Sequence, residues 1–538
     1  GCSTGRPEQL DVSGSTRIEC AEGVVSPGLI NTHDHLGFDQ NYPTPATTDR
    51  FDHRNDWRGT PAVTAPADYS QEKVAWSELR QVMAGTTSIA GAGNEVGFLR
   101  NLDPPWWSFP VFDDLLWDVT TEYPLEIVTD TFPLENPWEY QQYEDCIHTY
   151  YGRQKDQWTN IYVPHVAEGI NVAADTEFNC LSAVDDMVNR EFSMVHGIAV
   201  NADDGKTLAE NRASLIWSPR SNISLYGNTV PMRMLKNQGV LVSLSTDWTP
   251  SGSMNQGREL ACADELNAKY FNRAFSDRDL WMMVTHNPAV ALHLDDRVGS
   301  LQAGHFGDIA IFDGSDVDNP YRAVIGADAQ STVLVLRRSA MPFLFIDNHT
   351  YVGSIALYGQ AGLLQNLPPT LHEFYATFFG FEEDLCEDIE VCGQQKLVCP
   401  LRETWWLAFE DYYLGVEWGD PLPLSFLASE NEDSYPLFFC EAPPDEPTCV
   451  PSRPGEYTGE LVTGPASSSD RDGDGITDNL DNCRKVFNPV RPMDAGVQAD
   501  SDGDGRGDAC DKCPLDAGAE CTSINPYTGE VVYITDGD

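Results

Sequence analysis

Basic residues are scarce in this chain. Its 538 residues include 33 lysines and arginines against 84 aspartates and glutamates, which gives a formal net charge of −51 at pH 7. Proteins that bind nucleic acids need basic patches to neutralise phosphates, so this composition argues against that function class. The acidic surplus instead favours solubility, calcium binding or a salty environment.

Long apolar runs are missing as well. No uninterrupted apolar stretch approaches the roughly 18 residues that a membrane-spanning helix requires. Hydrophobic residues nevertheless make up 41% of the chain. A chain of this length and composition can bury a large core and exceeds one ordinary domain.

Cysteine is abundant by contrast, with 14 residues that concentrate late in the chain. That number is high for a cytosolic enzyme and indicates an oxidising compartment. We therefore expect an extracytoplasmic protein, which is secreted, periplasmic or on the outer surface of a bacterium. The first residue is Gly1, so the chain looks processed or trimmed: Cys2 is either the lipidated cysteine of a bacterial lipoprotein or a disulfide partner of Cys20.

Four apolar, β-prone stretches end in residues of the kind that bind metals. Two histidines at positions i and i+2 of a strand point to the same side and can reach one ion. Such residues at the C-terminal ends of successive strands are what the active site of a barrel requires. They are His33 and His35, then His165 with Glu168 three positions later, then His196, and finally Asp247.

The order of these motifs resembles that of the amidohydrolase superfamily. Within it, the chain is most similar to the mononuclear branch that contains cytosine and guanine deaminases and triazine hydrolases. Residues 78–87, 217–222, 285–292, 299–304 and 308–313 carry further motifs of the same kind. The resemblance covers residues 20–355.

This resemblance implies an α/β fold: a (β/α)8 TIM-like barrel with a small composite β-sandwich. The sequence offers seven strand candidates and no clear one between residues 131 and 161, so a distorted barrel is expected. The predicted units are an N-terminal sandwich remnant (1–30), the barrel (31–296), the C-terminal half of the sandwich (297–355), a mainly helical, disulfide-containing extension (356–455), calcium repeats (456–522) and an acidic tail (523–538). A lid over the site is the alternative for the extension.

The resemblance further implies that His33, His35, His165 and Asp247 hold one Zn²⁺ or Fe²⁺ ion. Branches with two metals bridge them by a carboxylated lysine at a strand end. Between His35 and His165 the sequence has only Lys73 and Lys155, and neither ends a strand. One metal ion is therefore expected.

Three residues are the expected catalytic groups. Asp247 would be the first proton acceptor from a water molecule that the metal activates. His196 would polarise the substrate or contact that water, and the alternatives are a fourth ligand or a core histidine. Glu168 would protonate a ring nitrogen and pass protons to the leaving group, unless it is only a surface acid.

The pocket is less well defined by the sequence. Its predicted lining is Trp217, Arg220, Asn222, Trp248 and Ser251. Arg220 could face an anionic group of the substrate, although a salt bridge to a carboxylate is the stronger alternative. His53 could line the pocket or lie on the surface.

An internal repeat follows in the C-terminal part. Oxygen ligands at positions 1, 3, 5, 9 and 12 of a loop, with glycine at position 6, are typical of calcium binding. The spacing, with a cysteine two positions after each last aspartate, resembles thrombospondin type 3 repeats. A disordered acidic tail is the alternative. The expected Ca²⁺ ligands are Asp470, Asp472, Asp474, Asp478 and Asp481, and then Asp500, Asp502, Asp504, Asp508 and Asp511.

The sequence thus predicts a metal-dependent hydrolase that cleaves a C–N bond of a small cyclic amidine, amide or ring amine. Its tail would be a calcium-stiffened stalk or adhesion module that contacts a cell surface or matrix. One alternative is a lactonase-type hydrolase on the same scaffold. Another is a non-catalytic, calcium-dependent surface-binding protein.

Overall fold

The architecture was examined in a computed structural model of the chain. It describes residues 20–45, 49–60, 63, 65–92, 98–103, 127–131, 161–182, 188–338, 345–346, 349–350, 354–360, 387–398, 423–518 and 520–535. Among these, no helix is both long enough and apolar enough to cross a membrane.

The first predicted strand, over residues 24–31, is two strands in the structure. They are β1 (Gly23–Pro27) and β2 (Leu29–Asn31), and Gly28 lies between them. A Cβ atom on Gly28 would lie 2.2 Å from Oγ1 of Thr87, so only glycine fits this close approach. β1 pairs with the sandwich and β2 with the barrel sheet, so this short segment joins the two units.

Eight parallel strands carry the site. Three of them form one sheet in the order β2-β3-β4, and the other five form a second sheet in the order β5-β6-β7-β8-β9. Most of their residues are buried, as expected for parallel strands covered on both faces. The remaining seven are β3 (Thr86–Ile89), β4 (Arg100–Asn101), β5 (Ile127–Thr131), β6 (Ile161–Val166), β7 (Ser193–His196), β8 (Ser214–Trp217) and β9 (Leu241–Leu244).

The strand that sequence patterns did not reveal is β4. It has two residues, too few for any periodicity, and it precedes β5. The missing strand was expected between residues 131 and 161, and residues 132–160 lie outside the described part of the chain.

Helices accompany these strands. Several begin at a side-chain cap, for example α3, where Asn201 and Asp204 form a reciprocal capping box. Those found in the described residues are α1 (Gln71–Val82), α2 (Val172–Ser182), α3 (Ala202–Glu210), α4 (Pro219–Tyr226), α5 (Met232–Gln238), α6 (Gln256–Lys269), α7 (Asp277–Met282), α8 (His286–Ala291), α9 (Pro320–Ile325) and α10 (Leu424–Glu430).

The sandwich sheet extends further along the chain than expected. Its strand order is β1-β10-β11-β14-β16-β15. The extension 356–455 was predicted to be mainly helical, yet its described residues contribute strands to this sheet and only one helix, α10. The strands are β10 (Ile309–Asp313), β11 (Thr332–Arg338), β12 (Phe345–Ile346), β13 (His349–Thr350), β14 (Ser354–Gln360), β15 (Glu387–Val391) and β16 (Gln394–Val398), of which β12 and β13 form a separate hairpin.

The C-terminal repeats pack against the barrel. Tyr457 and Phe487 belong to the same buried apolar cluster as the barrel helices, and the last strands, β17 (Glu520–Ile524) and β18 (Val531–Thr535), form a hairpin beside α5. Disulfides join Cys262 to Cys449, Cys392 to Cys440, Cys483 to Cys510 and Cys513 to Cys521. Cys20 has no disulfide partner within the described residues, and Cys2 lies outside them.

Candidate active site

Four side chains meet where the parallel strands end. One ligand atom from each of His33, His35, His165 and Asp247 lies within 4.8 Å of the others. Backbone hydrogen bonds join the HxH motif to Asp247. The amide of His35 donates to the carbonyl of Asp247 (2.8 Å), and the amide of Asp247 donates to the carbonyl of His33 (3.2 Å). A parallel bridge between Asp34 and Asp247 thus places the HxH motif beside the predicted metal aspartate.

The spacing of the donor atoms suits a single transition-metal ion. The Nε2 atoms of His33 and His35 are 3.2 Å apart, and those of His35 and His165 are 3.3 Å apart. Two nitrogens bound tetrahedrally at about 2.0–2.1 Å from one ion would be separated by about 3.3–3.4 Å. Oδ1 of Asp247 lies 3.7 Å from both His33 and His35.

Burial sets the protonation of these groups. It holds the pKa of His33 and of His165 well below the ordinary range, and it lowers the pKa of His35 to about 4. Neutral imidazoles offer the lone pairs that a metal ion needs. Burial also raises the pKa of Asp247 to about 6, partly offset by His196 and by a hydrogen bond from Ser221.

Helix α4 supports two of the predicted catalytic groups. Oγ of Ser221 donates to Oδ2 of Asp247 at 2.5 Å. Oδ1 of Asn222 is 3.0 Å from Nδ1 of His196, so it accepts the proton on Nδ1 while Nε2 faces the site. His196 has a φ of 69° at the end of β7, a left-handed conformation that turns its ring toward the cluster.

Glu168 is held by a chain of two hydrogen bonds. Nε1 of Trp57 donates to Oη of Tyr226 (2.9 Å), and that hydroxyl donates to Oε1 of Glu168 (2.7 Å). The same Glu168 oxygen is 3.8 Å from Nε2 of His196. Burial raises the pKa of Glu168, but the neighbouring charges of His196 and Arg54 and the Tyr226 hydroxyl outweigh it, so the net shift is downward.

A cavity of about 280 Å³ opens above these groups. Its walls are largely aromatic, and one exposed cation lies among them. The lining residues are His35, Phe38, Trp57, Arg58, Gly59, Val63, Ala65, His165, Glu168, His196, Asp247 and Trp248.

Of the predicted pocket residues, only Trp248 lines this cavity. Trp217 is fully buried and donates to Oγ1 of Thr229 (2.8 Å). Arg220 forms an ion pair with Glu446 (3.3 Å), as the salt-bridge alternative holds.

Two more of the predicted pocket residues do not line the cavity but contact residues that do. Asn222 contacts His196, and Ser251 contacts Ser221 and Nε1 of Trp248. The structure thus differs from the predicted pocket lining, because side chains near the strand ends can also point into the layer between strands and helices.

His53 does not line the cavity either. It is buried, and its Nε2 lies 3.0 Å from Oε1 of Glu177. The predicted pocket did not include Phe38, Trp57, Arg58 or Tyr226. The first three lie between β2 and α1 without a defining motif, with Phe38 at the end of a short 3-10 helix, although the polar aromatic run around His53 lies in the same region.

The two repeat loops also gather carboxylates. Oxygen atoms of Asp470, Asp472 and Asp474 lie within 4.8 Å of one another, as do those of Asp500, Asp502 and Asp504. Asp472 is fully buried, and neither of its carboxylate oxygens has a hydrogen-bond partner among the described residues. Unpartnered buried carboxylate oxygens are the donor set that calcium prefers.

The later aspartates of each loop make local hydrogen bonds. Asp478 accepts from Oγ of Ser469 (2.6 Å), and Asp508 accepts from Oγ of Ser501 (2.7 Å). Asp481 and Asp511 accept from backbone amides two positions later, at 2.7 and 2.8 Å. These hydrogen bonds stabilise the conformation of the two loops.

Comparison with known proteins agrees with this geometry. The model of the amidohydrolase family matches residues 172–339. The matched range includes His196 and Asp247, while His33, His35 and His165 precede it. The model of the thrombospondin type 3 repeat matches residues 464–491, which include the first acidic loop.

Similar curated proteins are 5-methylthioadenosine/S-adenosylhomocysteine deaminases. The one from Thermoanaerobacter pseudethanolicus is 25% identical over 353 residues, which are 58% of this chain and 77% of that protein. The one from Teredinibacter turnerae is 34% identical over 127 residues, 23% of this chain and 29% of that protein.

Solved structures with similarity to the chain include an adenosine deaminase from Xanthomonas campestris with bound zinc. It has a TM-score of 0.42 and 18% identity, and the match covers 64% of this chain and 84% of that one. Atrazine chlorohydrolase from Arthrobacter aurescens TC1 with zinc has a TM-score of 0.43 and 16% identity, with 64% and 89% covered.

Proposed function

We propose that the protein is a metal-dependent hydrolase that removes an amino group from a small heteroaromatic ring. The observation that carries this proposal is the convergence of three neutral imidazoles and Asp247 next to two further proton-transfer groups, Glu168 and His196. The match of residues 172–339 to the amidohydrolase family and the similarity to deaminases support the same chemistry.

His33, His35, His165 and Asp247 would hold one ion, for which Zn²⁺ or Fe²⁺ fits the nitrogen-rich set. Such an ion supplies Lewis acidity and lowers the pKa of water to near neutrality. The proposal of one metal rather than two rests on the four-residue cluster. Lys73 contributes nothing to it, because its Nζ donates to Oγ of Ser434 (3.0 Å) away from the site.

The side chains divide the proton transfers between them. Asp247 accepts a proton from the attacking water. His196, whose Nε2 lies 3.9 Å from Oδ1 of Asp247, stabilises negative charge on the attacked centre. Glu168, which is ionised at the start, takes up the proton released from the water and gives it to the adjacent ring nitrogen, and it then carries the second proton, from the added hydroxyl, to the departing amine, while Tyr226 keeps its carboxylate in place.

The walls of the cavity suit a flat ring. Trp57 and Trp248 face each other with centroids 5.7 Å apart, and Phe38 lies 5.6 Å from Trp248. Aromatic walls bind planar heterocycles through offset or edge contacts. Arg58, exposed at the cavity, would accommodate an anionic substituent on the ring or its side chain.

A screen for ammonia release tests the proposal. The purified protein would be offered 5′-methylthioadenosine, S-adenosylhomocysteine, adenosine, guanine, cytosine and aminotriazines. We expect release from at least one of them. Hydrolysis of lactones without ammonia release would instead favour the lactonase-type alternative, and metal binding without turnover of any class would favour a binding protein.

Metal content provides an independent test. After removal of calcium by a mild chelator, elemental analysis should find about one equivalent of zinc or iron per chain. His165→Ala should lose this ion, whereas His305→Ala, in a loop beside Ser300, should keep it. Two equivalents in the native protein would contradict the single-metal proposal.

Other parts of the molecule support further proposals on barrel closure, calcium binding and location. The bridge between Asp34 and Asp247 supports closure of the eight parallel strands into one barrel. The buried, unpartnered carboxylate of Asp472 supports calcium at the first loop, and the matching spacing supports calcium at the second. The disulfides found among the described residues support an extracytoplasmic location. A lipid anchor at Cys2 and a surface or matrix partner for the tail remain proposals from the sequence.

A further inference from the structure

Helix α4 contacts all three of the proposed catalytic residues. Its Ser221 donates to Asp247, its Asn222 accepts from Nδ1 of His196, and its last residue, Tyr226, donates to Glu168 at 2.7 Å. A small shift of this helix along its axis would therefore disturb three catalytic contacts together. What holds the end of α4 consequently matters for the reaction.

The C-terminal end of α4 is held by the segment that enters the repeats, residues 453–459. Nη1 of Arg453 donates to the carbonyl of Tyr226 (2.8 Å), and Oη of Tyr457 donates to the carbonyl of Gly227 (3.3 Å). Gly227 caps the helix with a φ of 70°, and a Cβ there would lie 2.3 Å from the carbonyl of Ser452. The segment thus supplies donors to the carbonyls that end α4.

Arg453 also holds the loop that carries Trp57. It donates to the carbonyl of Phe51 (3.0 Å) and forms an ion pair with Asp52 (2.6 Å). The amide of Phe51 donates in turn to the carbonyl of Leu225 in α4 (2.9 Å). One guanidinium therefore links the two elements that supply the Trp57–Tyr226–Glu168 chain.

The opposite side of residues 453–459 contacts the first acidic loop. The amide of Gly459 donates to the carbonyl of Gly473 (3.1 Å), and Val462 and Asp470 exchange backbone hydrogen bonds. A Cβ on Gly475 would lie 2.5 Å from the carbonyl of Glu456, so the loop and the segment are in close contact.

The residues that follow this loop complete the packing. The ring of Phe487 packs on Tyr457, with centroids 5.3 Å apart, and Oη of Tyr270 donates to the carbonyl of Gly459 (3.0 Å). Residues 453–459 therefore lie between the barrel and the first loop.

A cation in the first loop would determine whether this packing holds. Asp470, Asp472 and Asp474 bring their oxygens within 4.8 Å, and the buried Asp472 has no internal partner among the described residues. Without a cation, ionised carboxylates at this distance repel and favour an expanded loop. Because Gly473 and Gly475 contact residues 456–459, expansion would withdraw support from Tyr457 and Arg453.

We propose that Arg453 and Tyr457 are positioning residues for the reaction, and that Ca²⁺ in the first loop holds them against the end of α4. The proposal rests on the calcium binding and hydrolase function proposed above. It makes the repeats part of the catalytic unit, beyond any role as a stalk. The proposal gives the second loop no such role, because the amides that donate to Asp500, Asp502 and Asp504 belong to that same loop.

Hydrogen exchange measured by mass spectrometry tests the proposal without substrate. The full, disulfide-intact chain with its transition metal would be compared in millimolar calcium and in a calcium-selective chelator. In the wild type, calcium should slow exchange of the amides of residues 219–227 as well as those of the first loop. Asp472→Asn should abolish the effect on residues 219–227. Asp502→Asn, at the same position of the second loop, should retain it.

Kinetics distinguish a positioning role from a structural one. Tyr457→Phe keeps the ring that packs on Phe487 and removes only the hydroxyl on Gly227. We expect kcat to fall roughly fivefold or more, with KM little changed. A fivefold effect is about the smallest that coupling between two sites usually produces. Tyr527→Phe is the matched control, because it removes another tail-to-barrel hydrogen bond, from Oη of Tyr527 to Oδ1 of Asn287 (2.8 Å), away from α4.

Some results would overturn the proposal. Calcium protection confined to the repeats, with no change in residues 219–227, would show that the loop and α4 are uncoupled. Equal effects of Asp472→Asn and Asp502→Asn, or of Tyr457→Phe and Tyr527→Phe, would indicate general stabilisation by the tail. If Asp472→Asn does not fold, the tyrosine pair decides. If no substrate is found, the exchange measurement still decides the coupling, so failure of the proposed function is recognised separately.

Discussion

Glu168 is a buried carboxylate whose neighbours keep it ionised. Burial by itself would raise its pKa, while His196, Arg54 and the Tyr226 hydroxyl lower it, and the lowering effects prevail. Its Oε1 atom is also 3.8 Å from Nε2 of His196, so the two groups can act on one substrate. This combination suits a residue that receives a proton early in a reaction and gives it up later.

Replacing that carboxylate separates binding from chemistry. Glu168→Gln keeps the size of the side chain and an oxygen for the Tyr226 hydroxyl, but it cannot transfer a proton. We expect metal content and fold to be preserved while kcat falls by roughly 10²-fold or more, the usual scale for lost general acid–base catalysis. Steady-state kinetics with metal analysis would measure both.

The control for this substitution is Glu210→Gln, at the exposed end of α3. It makes the same chemical change away from the cavity and should leave kcat unchanged. A fully active Glu168→Gln on the identified substrate would contradict the proton-transfer role.

At the scale of elements, the sandwich sheet contains a buried lysine. Nζ of Lys396, on β16, donates to the carbonyls of Gln330 (2.8 Å) and Thr332 (2.7 Å) and lies 5.3 Å from the ring centre of Tyr358. Burial lowers the pKa of Lys396 to about 8, although Asp328 and Asp313 act in the opposite direction. These two hydrogen bonds and the ring contact hold β16 against the start of β11 and against β14.

The lowered pKa predicts a pH dependence of stability. Between pH 8 and the ordinary value of 10.5, the unfolded chain binds this proton more tightly than the folded chain does. The contribution of Lys396 to the free energy of unfolding should therefore rise with pH across that window. Denaturant unfolding of the wild type and Lys396→Met at pH 8, 9 and 10 would measure it. A wild-type-minus-variant difference that stays constant or falls would contradict the prediction.

At the scale of the whole molecule, one disulfide joins the barrel to Cys449, which lies just before residues 453–459. Cys262 in α6 and Cys449 are 187 residues apart in sequence, and both are buried. Cys513 and Cys521, within the tail, are only 8 residues apart. Closing the longer loop removes more entropy from the unfolded chain.

Removing these two disulfides should thus have unequal effects. The chain-entropy relation gives about 5 kcal/mol for the longer loop and about 2.5 kcal/mol for the shorter one. Cys262→Ala with Cys449→Ala should lower the unfolding midpoint more than Cys513→Ala with Cys521→Ala, which is the matched control. Thermal and denaturant unfolding under oxidising conditions would compare them. Equal losses would show that the barrel and tail do not unfold together.

The sequence by itself located the groups whose arrangement is local. A strand that ends in HxH places two rings on one side, and an aspartate at every second position of a short loop places carboxylates together, wherever the segment lies in the molecule. The same local rules cannot detect β4, because two residues have no period. They also do not reveal that the described strands over residues 387–398 join the sandwich sheet through β14.

Only the tertiary structure decided which side chains surround those groups. Trp57 and Tyr226 are 169 positions apart, and Arg453 meets the carbonyl of Tyr226 from 227 positions away. Contacts of this kind depend on how helices and loops pack, and packing is set by the shape of the whole core, of which a local pattern carries no record. For this reason the sequence indicated a separate tail, whereas the structure packs residues 453–459, which contact the first loop, against the helix that supports the site.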